Sequence, residues 1–160
     1  MDELTGLPDR GESMAWLEER APEGSLTVAV LDIDAMTSFN EAHGVVAGDF
    51  LLQALAHQLR GGARPGELAA RFGGEEFLLG WSDREPAEAA AVVEQLCSDF
   101  TGSTLELADG TRCSNVTLSA GIAGLGADSS SVDDMLGRAD AALNAAKLRG
   151  GNCVEVFGRP

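Results

Sequence analysis

The pattern of apolar and polar positions separates into strand-like runs and helical stripes. Leu26-Thr27-Val28-Ala29-Val30-Leu31 is an almost continuous apolar run of strand length, as expected for a strand covered on both faces, and it stops abruptly at Asp32-Ile33-Asp34. Leu68 to Phe72 and Phe77 to Trp81 flank Gly73-Gly74-Glu75-Glu76, which predicts a hairpin whose glycine turn carries two carboxylates. Helical spacing runs from Ala47 to Leu59 through Phe50, Leu51, Ala54, Leu55 and Leu59, and Gly61-Gly62 with Pro65-Gly66 ends it. A second stripe follows Pro86 through Ala89, Val92, Val93, Leu96 and Phe100, and a third spans Val132 to Leu148. A short helix is expected from Met14 to Glu19, closed by Ala21-Pro22-Glu23-Gly24. Thr104 to Leu107 and Val116 to Ile122 read as strands joined by a turn at Ala108-Asp109-Gly110-Thr111. Ser129 to Ser131 reads as a short loop, and Cys153 to Phe157 as a last short strand. Alternating strands and helices of this kind predict an α/β (α+β) sandwich around a mixed sheet, with residues 1–160 as a single domain.

Composition narrows the function. The 160 residues carry 11 Lys and Arg against 26 Asp and Glu, a formal charge of -15, with 44% hydrophobic residues. That apolar share excludes a disordered acidic tail. The charge repels phosphate backbones and anionic headgroups, so neither nucleic acid nor a membrane surface is an expected partner, and a phosphate ligand would need a divalent cation beside it. No apolar run approaches the roughly 20 residues of a membrane span, and Met1-Asp2-Glu3 does not open a signal peptide. The expected location is the cytoplasm. Cys97, Cys113 and Cys153 are odd in number and widely spaced, which predicts reduced packing thiols and neither a disulfide framework nor a zinc site.

Two acidic features stand apart from packing needs. Asp32 and Asp34 alternate along a strand end, so both carboxylates are expected to point the same way with the Ile33 carbonyl between them. Glu75-Glu76 sits at the hairpin turn. Carboxylates from a strand end and a neighbouring turn make the hard oxygen set that Mg2+ prefers.

Several ordered motifs extend this. The chain resembles the GGDEF domain, the diguanylate cyclase family, in the variant Gly73-Gly74-Glu75-Glu76-Phe77. Asp2-Glu3-Leu4-Thr5-Gly6-Leu7-Pro8-Asp9-Arg10 is similar to the family's opening, and Leu31-Asp32-Ile33-Asp34, Phe39-Asn40-Glu41, Gly44, Gly48-Asp49, Arg71-Phe72, Ser119-Ala120-Gly121-Ile122-Ala123 and Ala139-Asp140 to Ala146-Lys147 continue the match. The resemblance implies a palm-like, nucleotide-cyclase-like core that condenses two GTP into cyclic di-GMP and pyrophosphate at a homodimer interface. By position it implies Asp32, the Ile33 carbonyl and Glu75 as ligands of Mg2+ or Mn2+, with Glu76 near a second ion. Glu75 and Asp32 become the catalytic positions, Glu75 as the general base. Asn40 and Asp49 match the guanine-recognising positions, Lys147 a phosphate contact, and Gly74, Met36 and Thr37 further substrate-binding positions. Arg64-Pro65-Gly66-Glu67 matches the product-inhibition motif, with Glu67 in place of the family's Asp. Any sensory or dimerising segment is expected outside these residues.

The departures fall on phosphate binding. Thr37 stands at the family's lysine position and Met36 at its phenylalanine. Gly44-Val45 replaces Gly-His, with His43 displaced onto what reads as a short surface helix. Asn144 replaces a tyrosine, and Gly151 an arginine. Charge-assisted contacts contribute roughly 1.5 to 3 kcal/mol each, so losing two weakens triphosphate binding by about two to four orders of magnitude unless something compensates. Arg149 is either a displaced phosphate contact or a cation suited to a helix C-terminus. An alternative function therefore stands beside the cyclase: a degenerate module that binds GTP or cyclic di-GMP and signals through a partner.

Overall fold

The computed structural model describes residues 1–126 and 131–159. Among these residues, seven strands and five α-helices follow in the order α1 (Arg10–Arg20), β1 (Thr27–Ile33), α2 (Met36–His43), α3 (Val45–Gly62), β2 (Leu68–Arg71), β3 (Glu76–Trp81), α4 (Pro86–Gly102), β4 (Leu105–Glu106), β5 (Arg112–Cys113), β6 (Leu118–Gly124), α5 (Val132–Leu148) and β7 (Val154–Val156), with a 3-10 turn at Ala21–Glu23. The expected loop residues Ser129 and Ser130 lie outside the described residues, and Ser131 caps α5 by accepting from the Asp134 amide.

Five strands form one sheet in the order β2-β3-β1-β6-β7, and β4 with β5 forms a separate ribbon. The apolar run seen in the sequence is the central strand β1, every residue of which is buried. It runs antiparallel to β3 and β6, while β6 pairs in parallel with β7, so the sheet is mixed as expected. Side chains alternate between two cores. Ala29, Leu31 and Ile33 face Leu51, Leu55 and Val93 from α3 and α4, whereas Val28 and Val30 face Leu17, Met135 and Leu143 from α1 and α5. The continuous apolar character of β1 follows from this double cover.

Two expectations are corrected. Helix α1 begins four residues earlier than the apolar spacing indicates, because Asp9 caps it by accepting from the Glu12 amide at 2.9 Å and its polar first turn carries no apolar signal. The turn at Ala108 to Thr111 does close, with the Leu107 amide donating to the Thr111 carbonyl at 2.7 Å, but it joins β4 to β5 and not to the long strand. Asn115, at φ +61, breaks the chain after β5 and releases Leu118–Gly124 into the main sheet beside β1. The short helix α2 has few apolar positions to announce it; it starts at Ala35, held at φ +56, directly after the acidic strand end.

Candidate active site

Antiparallel register sets the acidic centre. Asp32, near the end of β1, lies directly opposite Glu76 on β3 and Ser119 on β6, which puts all three on one face of the sheet. That face is covered by α5, whose Lys147 in the last turn donates to Asp32 Oδ2. Asp32 is 9% exposed, and its Oδ1 is buried with no hydrogen-bond partner. Burial opposes charge on Lys147, but the bond to Asp32 and the fields of Asp32, Glu76 and Asp34 keep its pKa above the usual lysine value. Glu76 is pushed the other way: burial first, then the neighbouring Asp140 and Asp32, raise its carboxyl above the ordinary range, against the opposing pull of Lys147 and Arg10.

The turn between β2 and β3 closes on itself, with the Phe72 and Gly73 amides donating to the Glu76 carbonyl at 2.8 and 3.1 Å. Glu75 is exposed at its tip, while Glu76 is half-buried. Among the described residues, no group of three or more acidic, histidine or cysteine side chains converges to hold a metal ion. Asp32 and Glu76 are brought together, and Glu75 stands at the solvent edge beside them. The donors fit a hard divalent cation in one respect that counts: the unpartnered Oδ1 of Asp32 is a buried anionic oxygen, which is costly without a donor or cation.

Asp34 has a different job from the one alternation suggests. Its carboxylate accepts from the Thr117 hydroxyl at 2.7 Å, the Ser119 hydroxyl at 2.6 Å and the Asn152 amide at 2.8 Å. It therefore ties β1 to β6 and to the segment leading into β7, and its oxygens are committed to those donors.

The guanine-matching residues come from α2 and α3. Asn40 Oδ1 is buried without a partner and lies so close to Gly48 that any Cβ there would collide with it. Asp49 borders a cavity of about 420 Å³ whose walls include Leu4, His43, Phe50 and Leu107. The Met36 side chain corrects the expected substrate contact: it is 3% exposed and packs in the core toward Gly48. Thr37 beside it is exposed, in a first turn of α2 that has no side-chain cap. His43 stacks near the Phe39 ring, 4.7 Å between centroids.

At the C-terminal end of α5, Gly150, Gly151 and Asn152 all have positive φ, and the Asp34 carboxylate lies 3.0 Å from where a Gly151 Cβ would stand. The backbone at the missing arginine position is thus shaped for glycine. Arg149 turns outward and pairs with Glu155. At the motif matching product inhibition, Glu67 accepts from the Arg64 amide at 2.8 Å and pairs with Arg84 at 3.5 Å, so its carboxylate is engaged while Arg64 remains exposed. Sequence reasoning missed Arg84, which nothing in local spacing links to Glu67. It also missed the contact of Arg71 with Asp2, although both residues stood in quoted motifs. The thiols of Cys97 and Cys113 are buried and all three cysteines are free; burial, with Asp34 and Glu94 nearby, pushes Cys97 up to about 12, as suits a packing thiol.

A mixed sheet covered by helices on both faces, with an acidic central strand end beside a glycine hairpin turn, defines a nucleotide-cyclase-like α/β domain. The family profile described as "Diguanylate cyclase, GGDEF domain" matches residues 1–153, and the chain belongs to that family. It is 33% identical over 158 residues to response regulator PleD of Caulobacter vibrioides, covering 96% of this chain and 35% of PleD. It is 32% identical over 158 residues to cyclic di-GMP phosphodiesterase PdeB of Shewanella oneidensis, covering 98% of this chain and 18% of PdeB. The chain therefore spans about a third or less of the length of these relatives. The GGDEF domain of DgcB from Caulobacter crescentus, solved in complex with c-di-GMP, superposes with a TM-score of 0.93 at 29% identity, covering 99% of this chain and 96% of that one. No helix among the described residues is long and apolar enough to cross a membrane.

Proposed function

We propose that this chain is a single catalytic domain that condenses two GTP molecules into cyclic di-GMP with release of two pyrophosphates, working in the cytoplasm as a homodimer in which each copy presents one GTP. The observation that carries this reading is the buried Asp32, opposite Glu76 and beside the glycine turn, with one carboxylate oxygen left without a donor.

Asp32, the Ile33 carbonyl, Glu75 and Glu76 would hold Mg2+ or Mn2+, which when bound acidifies a nucleotide hydroxyl and neutralises phosphate charge. Asn40 and Asp49 select the base: a carboxylate accepts from the N1 and N2 donors of guanine, and adenine would leave it unpaired. Lys147 and the free amides in the first turn of α2 orient the phosphates. Glu75, exposed at the tip of the turn, would act as the base that accepts the proton of the attacking 3′-hydroxyl.

A second reading, a degenerate module that binds GTP or cyclic di-GMP and signals through a partner, is favoured by one observation: the glycine-shaped backbone at Gly151, which removes a phosphate cation. Concentration dependence separates the two. With GTP and Mn2+, cyclic di-GMP formed by the isolated chain rises more steeply than in proportion to protein concentration if two copies make one active site; guanine-nucleotide binding without product at every concentration supports the degenerate module.

A further inference from the structure

The cation nearest the acidic centre is already engaged. Lys147 projects from the last turn of α5 and Asp32 from a strand buried along its whole length, so the backbone fixes where the two side chains meet. Asp32 Oδ2 accepts from the Lys147 ammonium, while Oδ1 is buried and unpartnered. Other cations around the site have partners elsewhere: Arg10 lies over the Phe72 ring, Arg71 holds Asp2 and the Gly74 carbonyl, and Arg149 pairs with Glu155. Lys147 is also the one phosphate-matching cation the sequence retains. The same ammonium is thus wanted by two anions, the Asp32 carboxylate and an incoming triphosphate.

We propose that Lys147 is an exchangeable counter-ion of Asp32: it competes with a divalent cation for that carboxylate, and cation binding releases it to the nucleotide phosphates. The inference rests on the nucleotide and metal reading given above. A divalent cation close to Asp32 and an ammonium bonded to the same carboxylate repel each other at short range. Asp32 cannot withdraw from its strand, so the lysine must move. Its side chain is 43% exposed, and a four-carbon stem with rotatable donors can swing into solvent without disturbing α5. One side chain then couples the two ligands. Because such coupling is reciprocal, the metal raises nucleotide affinity by the factor that nucleotide raises metal affinity. In a chain of charge -15 with few phosphate cations, this withholds the one matching lysine until a metal has arrived.

The test is Mn2+ binding in the absence of nucleotide, followed by electron paramagnetic resonance on the whole chain. Lys147→Met is expected to bind Mn2+ about 1.5- to fivefold more tightly than the wild type, the range set by a partly exposed ion pair. Lys147→Arg should stay near the wild type. Arg138→Met removes the same unit of charge from the far side of α5, where Arg138 lies over the Phe157 ring, and should also leave affinity unchanged. In a second arm, GTP affinity of Lys147→Met should be lower than that of the wild type and respond less to Mn2+. Equal or weaker Mn2+ binding by Lys147→Met, with an unaltered melting temperature, overturns the exchange. A matching gain in Arg138→Met overturns it too, since bulk charge would then be the cause. Undiminished Mn2+ binding by Asp32→Ala overturns instead the metal site on which the inference rests.

Discussion

Arg71 donates from Nη1 to both carboxylate oxygens of Asp2 at 3.1 Å, and from Nη2 to the Gly74 carbonyl at 2.6 Å. One guanidinium therefore fastens the start of the chain to the glycine turn that carries Glu75 and Glu76. Asp2 is itself oriented by the Thr5 hydroxyl and amide, at 2.6 and 2.9 Å. Removing the carboxylate with Asp2→Ala should cost about 1 to 3 kcal/mol in thermal or urea unfolding, as expected when one partner of a largely buried charged pair is lost.

The same latch has a pH signature. Burial works against charge on Asp2, yet Thr5 and Arg71 hold its carboxyl below the ordinary aspartate range. A group with a depressed folded pKa contributes stability above its unfolded value and loses it as pH falls through the folded one. Wild-type melting temperature should therefore drop more steeply below about pH 4 than that of Asp2→Asn. Identical acid limbs for the two proteins would remove Asp2 from the account.

Glu76 predicts the opposite sign. Its folded pKa is raised, so ionised Glu76 opposes folding, and stability is lost as pH climbs from the ordinary carboxyl value through the raised one. At neutral pH, Glu76→Gln should be more stable than the wild type, by a few tenths of a kcal/mol once solvent screening of a half-exposed group is counted. Product formation should fall in the same variant, giving a stabilised but less active protein.

Restoring the missing arginine should fail. Gly151 has φ +75, and its missing Cβ faces the Asp34 carboxylate at 3.0 Å. Gly151→Arg should lower stability by about 1 to 3 kcal/mol through backbone strain. GTP affinity measured by calorimetry should not rise toward that of a two-cation site. A tighter-binding, equally stable variant would show that the backbone adapts.

Gly48 gives a test confined to the base-recognising residues. A Cβ there would collide with Asn40 Oδ1 and stand 3.1 Å from Met36 Cε. Gly48→Ala should cost about 1 to 3 kcal/mol by overpacking and should reduce the preference for GTP over ATP in competition binding.

What the sequence revealed follows from what local pattern encodes. The central strand, the hairpin around Gly73-Gly74 and the three longer helices all bury a continuous face, and each was legible as periodicity. Helix α2, with Met36 and Phe39 as its main apolar residues, was announced by no stripe. The strand opposite β4 was misassigned because Arg112-Cys113 is too short to show alternation. Within the site, motif spacing named Asp32, Asn40, Asp49 and Lys147, but not what they touch. The bonds of Asp34 to Thr117 and Ser119, of Glu67 to Arg84 and of Lys147 to Asp32 join residues far apart in the chain. Only the register of β1 with β3 and β6 and the placement of α5 bring such partners together.

The proposed cyclase needs two copies of this domain to turn GTP into cyclic di-GMP at the Asp32 and Glu75 centre. Its most direct test fuses the chain to a constitutive dimeriser, supplies GTP with Mn2+, and resolves pppGpG from cyclic di-GMP by chromatography and mass spectrometry. Cyclic di-GMP is expected from the wild type and none from Asp32→Ala or Glu75→Ala. No product from a folded, dimeric wild type, or undiminished product from either variant, would contradict it.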